Sequence, residues 1–312
     1  MTLRFFLLIS FVIVAISGCV STTRVAKPTV GEFTITWEDA PTIEVVIHNQ
    51  YVRLVVDPGA GNGLILNGDK ARDLGISARG LMSNVERVVG TRTVKGEGAG
   101  KYAVRHDTLG EFTVNLVWFE GNITPNFDGV IGLSAIPAET IVFERIGIQR
   151  GDVVPTAVLK VKSFPYWRSY QTVSGLETSI QLRATHEKAL ASTNVLSRIG
   201  QPSGASERVD FGNGIELFAT PYEFSNASDS LEIFGLPLTE LYALTENDIS
   251  SFSSRSKEVD SKILDVVTVT GESRAGSKNG AIRLGLNFMR TCSVLRFERD
   301  PLRVTGACGP TT

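Results

Sequence analysis

The stretch Leu54-Val55-Val56-Asp57-Pro58-Gly59-Ala60 runs through Gly61-Asn62-Gly63 into Leu64-Ile65-Leu66, placing one carboxylate between two apolar runs. Asp-Pro-Gly is a turn sequence, because Pro presets φ and Gly tolerates φ > 0. The flanking Val55, Val56, Leu64 and Ile65 imply that this turn is buried. A buried carboxylate is costly unless it is used, either as an acid–base group or as an acceptor for loop amides. In the second role Gly59 and Ala60 are the expected donors. Asn would then replace Asp57 at little cost, whereas Leu would leave the donors unpaired, at roughly 1–3 kcal/mol.

Other chemistries find less support. His48, His106 and His186 lack metal-ligand spacing, so no metal site is expected. No Gly-x-Ser-x-Gly elbow is present. Lys95–Tyr102 (KGEGAGKY) lacks the first Gly and the final Ser/Thr of a phosphate loop; it reads as a turn, and no cofactor is implied. Trp118, Tyr166 and Trp167 read as core or groove aromatics. The chain has 31 basic and 33 acidic residues without a long basic run, which argues against nucleic acid as a partner.

The elements that must position Asp57 are mostly strands. TIEVVIHNQYVRLVVD, FTVNLVWFEG, ETIVFERIGIQ, TAVLKVKSF, SIQLRA, IELFATPYEF, KILDVVTVTG and CSVLRFERDPLRV are rich in Val, Ile, Phe and Thr and are broken by Gly, Asn, Asp and Ser. Two stretches read as short helices. NGDKARDLGI has Ala71 and Leu74 on one face, Asn67 as cap and Gly75 as stop; ASTNVLSRIG repeats the pattern with Val195, Ile199 and Gly200. The class is all-β with minor helix.

An internal repeat divides the chain. IGLSAIPAETIVFER (Ile131 to Arg145) parallels LGLNFMRTCSVLRFER (Leu284 to Arg299) with one inserted residue. Upstream, DKARDLG parallels TNVLSRIG, and HDTLGEFTVNLVWFEG parallels VDFGNGIELFATPYEF. Three matches in one order indicate two related lobes, joined near Gly151 to Pro155.

The start of the chain bears on location. Arg4 precedes an apolar run from Phe5 to Ile16, followed by Ser17-Gly18-Cys19, the pattern of a signal peptide too short for a comfortable membrane span. Ile-Ser-Gly-Cys resembles the bacterial lipobox. That resemblance implies a lipoprotein signal over residues 1–18 and lipid attachment at Cys19; the stretch from Ser21 to Ala40 is polar and sparse in large apolar side chains, so residues 19–40 read as a tether. Val20 after the cysteine favours the outer membrane, facing the periplasm. In that oxidising compartment Cys292 and Cys308 are expected to pair.

Val55-Val56-Asp57-Pro58-Gly59-Ala60, the following apolar strand, the helix ending at Leu74-Gly75 and the later DGVIGLSAIP (Asp128 to Pro137) together resemble the retropepsin-like aspartic proteases, within the superfamily that includes the pepsins. Lys95–Tyr102 falls where those proteins carry a flap-like segment. The resemblance is good from about Ile43 to Arg150 and faint beyond Val154 until the final GLNFMRTCSVLRFERDPLRV. It implies two closed, barrel-type lobes with short helices, over residues 41–150 and 151–312, and an active-site loop of Asp57, Pro58, Gly59 and Ala60.

That chemistry needs two carboxylates sharing one proton. The repeat puts the counterpart of Asp57 at Leu182 or Arg183, followed by Ala184 and Thr185, with no carboxylate. Asp210 lies opposite Asp107 in the repeat, at a hairpin position. Pro58 stands where the family has a Thr or Ser whose hydroxyl locks the two loops together. The second lobe therefore reads as degenerate. The expectation is a non-catalytic envelope lipoprotein that binds a peptide or envelope partner between its lobes. Two alternatives stay open. One is an active aspartic endopeptidase with Asp57 paired by homodimerisation or by an unrecognised carboxylate. The other is a structural lipoprotein with no groove ligand.

Overall fold

Alternating apolar residues build the first half of the molecule, since successive side chains on a strand point to opposite faces. Its strands are β1 (Val30–Trp37), β2 (Thr42–Ile47), β3 (Gln50–Asp57), β4 (Gly63–Asn67), β5 (Val85–Val89), β6 (Arg92–His106), β7 (Gly110–Phe119), β8 (Gly129–Gly132) and β9 (Ala138–Arg145). A computed structural model describes residues 26–78, 85–89, 92–119, 124, 126–147, 157–163, 166–210, 216–224, 232–233, 236–238, 240–244 and 280–309. β2 buries Ile43, Val45 and Ile47, and β7 buries Phe112, Val114, Leu116 and Trp118. Each such side chain contributes about 1.5–3 kcal/mol of burial. Neighbours run β2-β3-β8-β4-β7-β6, and β6 returns to β2 at Val46 opposite Arg105, closing a barrel of six strands. The run Thr42 to Asp57 is a hairpin, because His48 and Asn49 take positive φ at its turn.

The second half comprises β10 (Ala157–Ser163), β11 (Arg168–Val173), β12 (Leu176–Leu182), β13 (Leu190–Ala191), β14 (Gly200–Pro202), β15 (Glu207–Asp210), β16 (Glu216–Phe224), β17 (Glu232–Ile233), β18 (Leu236–Pro237), β19 (Leu241–Leu244), β20 (Gly280–Leu284), β21 (Cys292–Arg299) and β22 (Leu302–Cys308). The all-β class holds. Among the described residues the first half closes, and the second runs as one open sheet in the order β1-β9-β21-β22-β10-β11-β12-β20-β13-β19-β16-β14, with β15 beside β16. That sheet takes β1 and β9 from the first half, so backbone pairing crosses the expected boundary at residue 150.

The tether also needs correction. Residues 19–40 read as a tether for lack of large apolar side chains, yet Val30–Trp37 is a strand parallel to β9 that buries Phe33, Ile35 and Trp37. The Ala26 carbonyl accepts from Arg299 Nη1 at 2.7 Å. Cys19, the join at Gly151–Pro155 and KILDVVTVTG lie outside the described residues.

The repeat is visible as a shared strand arrangement. In the first half β8 lies between β3, to which it is parallel, and β4, to which it is antiparallel. In the second half β20 lies between β12, parallel, and β13, antiparallel. Short helices follow β4 and β13 in turn: α1 (Gly68–Asp73) and α2 (Thr193–Ile199). The repeat equivalents β9 and β21 pair antiparallel with Val142 opposite Arg296, two positions that are each other's equivalents. A local two-fold axis passes through that pair. It brings Phe143 and Phe297 together with ring centroids 5.0 Å apart. It also makes two arginine contacts reciprocal: Arg145 Nη1 donates to the Arg290 carbonyl, and Arg299 Nη2 to the Ile136 carbonyl.

Candidate functional site at the Asp57–Arg183 pair

Asp57 ends β3 and caps a single 3-10 turn, Pro58–Ala60, where Pro supplies the fixed φ of a first helical position. The Gly59 amide donates to Asp57 Oδ1 at 2.8 Å, one of the two expected loop bonds; the Ala60 amide makes none to it. Gly132 on β8 lets the turn close, since a Cβ there would lie 2.2 Å from the Gly61 carbonyl oxygen. The second half repeats this construction. Leu182 pairs with Leu284, the next amide, Arg183, donates to the Leu284 carbonyl at 2.8 Å, and the chain turns. Gly285 plays the part of Gly132: a Cβ would lie 2.5 Å from the Glu187 carbonyl oxygen. Gly61 is four residues past Asp57 and Glu187 four past Arg183. Of the two sequence candidates, Arg183 and not Leu182 is therefore the counterpart of Asp57.

The two loops face each other, and their leading residues form an ion pair. Arg183 Nε donates to Asp57 Oδ2 at 2.9 Å, with the Asp57 side chain 0% exposed and that of Arg183 5%. The Thr185 hydroxyl donates to the same Oδ2 at 2.8 Å, and Arg183 Nη2 donates to Thr185 Oγ1 at 3.2 Å. A Cβ on Gly59 would lie 2.2 Å from Arg183 Cδ, so only glycine admits the arginine stem over the turn. Thr185 escaped the sequence reading. The repeat places it opposite Gly59, and nothing in its neighbours signals that its hydroxyl crosses to the other loop.

Around the pair, Trp167 Nε1 donates to Ser134 Oγ at 2.9 Å, and Arg299 Nη2 donates to the Ser134 carbonyl at 3.2 Å. Trp167 is buried against Phe297, with ring centroids 5.4 Å apart. Tyr166 is 46% exposed, and its ring packs on Gly61, whose Cβ would meet Tyr166 Cε1 at 2.9 Å. Gln181 holds the Tyr166 carbonyl through Nε2 at 2.9 Å. Trp118 is buried in the barrel.

His186 follows Thr185 and is buried. Burial, then the charges of Arg183 and Arg283, hold its imidazole well below the usual 6.5, so the ring is neutral. His48 caps the Leu74 carbonyl at 2.8 Å, and His106 accepts from the Thr108 amide at 3.1 Å. Among the described residues no three His, Cys, Asp or Glu side chains gather as a metal site.

Other sequence candidates fall elsewhere. Asp210 is on β15 opposite Glu216, and Asp107 is in the turn between β6 and β7, so the two occupy matching hairpins away from the loop registers. Lys95–Tyr102, expected as a turn, is part of β6, with its glycines taken up by an irregularity between Gly98 and Gly100. Asn67 takes the cap position of α1, but its side chain binds the carbonyls of Thr124 and Phe127 instead of the helix. Cys292 and Cys308 are joined in a disulfide across β21 and β22.

Chemically, this is a neutralised carboxylate. A general base needs a free lone pair within reach of a substrate proton or water. Asp57 accepts from a guanidinium, a hydroxyl and an amide and is fully buried. The residue facing it carries the opposite charge, so no proton is shared between like groups. No family model and no curated protein matches the chain.

Proposed function

We propose that this chain is a cell-envelope lipoprotein, lipid-anchored at Cys19 to the outer membrane and facing the periplasm. Its fold is of the two-lobed aspartic-protease type, and it is a binding protein, not a peptidase. One observation carries the non-catalytic reading: the position that repeats Asp57 is Arg183, and its guanidinium occupies Asp57 Oδ2 at 2.9 Å. The fold reading is supported by the repeated strand arrangement around each loop and by the motifs that run from Val55 to Pro137. The ligand in this reading is an extended peptide or a segment of an envelope protein, taken up between the lobes as sheet-forming proteins commonly take up strands.

The exposed Tyr166 ring on Gly61 gives the test a handle, because aromatic anchors carry much of the energy of peptide interfaces. The purified full chain is expected to bind members of an unstructured peptide library saturably and without cleavage. Tyr166→Asp should weaken that binding at least tenfold. Absence of saturable binding by the wild type would remove the peptide-binding reading in favour of a purely structural lipoprotein.

A further inference from the structure

We propose that the loop Arg183–Glu187 is an acid-opened latch: it holds the Asp57 loop closed near neutral pH and is released as the medium acidifies.

The latch is a cluster of buried polar and charged side chains, Arg183, Thr185 and His186. Arg183 and Thr185 clamp Asp57 from one side. His186 follows Thr185, 3% exposed, and its carbonyl accepts from the Leu286 amide at the start of α3 (Leu286–Met289). Among the described residues, the charged groups that act on its ring are Arg183 on its own loop and Arg283 on β20. Glu187 is engaged by Arg290, just past α3, and the described side chains of α3 that turn inward are Leu286, Phe288 and Met289. A proton placed on the closed ring would thus be buried, with the Arg183 guanidinium acting on it from the same loop. Two latch atoms, Arg183 Nη1 and His186 Nε2, are buried with no hydrogen-bond partner among the described residues. Opening delivers both to water, which lowers its cost.

The sign follows from the ring's environment. The closed ring titrates well below 6.5 because of burial and the two arginines, while an opened ring titrates near 6.5. Opening therefore takes up one proton. The closed form keeps its full stability above about pH 6.5. Below it, the opening equilibrium rises by up to tenfold per pH unit until the closed-state titration is reached. Release uncovers a carboxylate and a guanidinium at the junction of the two loops, so any partner seated there binds with a pH dependence set by His186. The inference does not rest on the ligand proposed above.

Native-state hydrogen exchange on the full chain between pH 7.5 and 5, corrected for intrinsic rates, tests it. Protection of the Arg183 and Leu286 amides is expected to fall about tenfold per unit below pH 6.5, while that of Leu54 and Leu116 in the barrel stays flat. His186→Gln should flatten the loop profile. Loop protection independent of pH in the wild type would overturn the latch, as would a parallel loss in the barrel or an unchanged slope in His186→Gln. Should that variant not fold, exchange at the His186 ring C2–H in the wild type decides: a closed-state midpoint at or above 6.5 contradicts the proposal.

Discussion

Arg183 changes what Asp57 is worth. Had the carboxylate only accepted loop amides, Asn would have replaced it at little cost, as the sequence reading expected. With a guanidinium 2.9 Å away and both side chains buried, Asp57→Asn strands a buried charge. The expected loss is about 3–5 kcal/mol, measured by urea unfolding of the full chain. Arg183→Met should cost a similar amount by stranding the carboxylate. The double variant should cost less than the sum, with a coupling of about 2–3 kcal/mol, because it removes both charges together. Additive losses would mean the pair is not the unit described. The burial of Asp57 was legible from Val55, Val56, Leu64 and Ile65. The position that repeats it was legible to within one residue, since a repeat aligned across gaps cannot choose between Leu182 and Arg183; that Arg183 pairs with Asp57 was not legible. The register of β12 on β20 makes that choice. Thr185 was not legible, because a hydroxyl reaching across two loops leaves no periodic trace.

At the scale of elements, the two loops stand on two glycines. Gly132→Ala and Gly285→Ala each drive a Cβ into a backbone carbonyl, at 2.2 and 2.5 Å. Each is expected to cost about 1–3 kcal/mol or more, and by similar amounts, because they occupy equivalent places. Urea titrations of the two variants check both the size and the match. β1 gives a sharper contrast with the sequence. Deleting residues 26–37 would be neutral for a tether, but it removes buried Phe33, Ile35 and Trp37 and uncovers β9. A loss of about 5 kcal/mol or more is expected, or failure to fold. The strand was missed because its polar face, Glu32, Thr34 and Thr36, dilutes a short apolar alternation that becomes visible only when phased at period two. The hairpins, α1 and α2 were legible because turn residues and helical spacing are local. The cap of α1 was not: Asn67 spends its amide on Thr124 and Phe127, nearly sixty residues away. Sheet closure was expected only through the resemblance, since it depends on contacts such as Val46 with Arg105 that no local pattern encodes.

At the scale of the molecule, the local two-fold through Val142 and Arg296 makes each half the other's support. The disulfide between Cys292 and Cys308 closes a separation of 16 residues at the edge of that support. Replacing both cysteines with Ala should cost about 3 kcal/mol, read as a lower urea midpoint. The repeat itself was legible, since the Phe-Glu-Arg ends of β9 and β21 stand in matching places; that these two strands pair with each other was not. Anchoring is tested separately: Cys19→Ser is expected to leave an unprocessed or soluble form, and normal membrane retention would contradict the lipoprotein assignment. The central claim, that Arg183 has taken the place of a second acid and neutralised Asp57, meets its most direct test in one assay. The purified chain is incubated with unfolded protein substrates from pH 3 to 7, beside Asp57→Asn. The account predicts no cleavage by either protein at any pH; cleavage by the wild type that Asp57→Asn abolishes would contradict it.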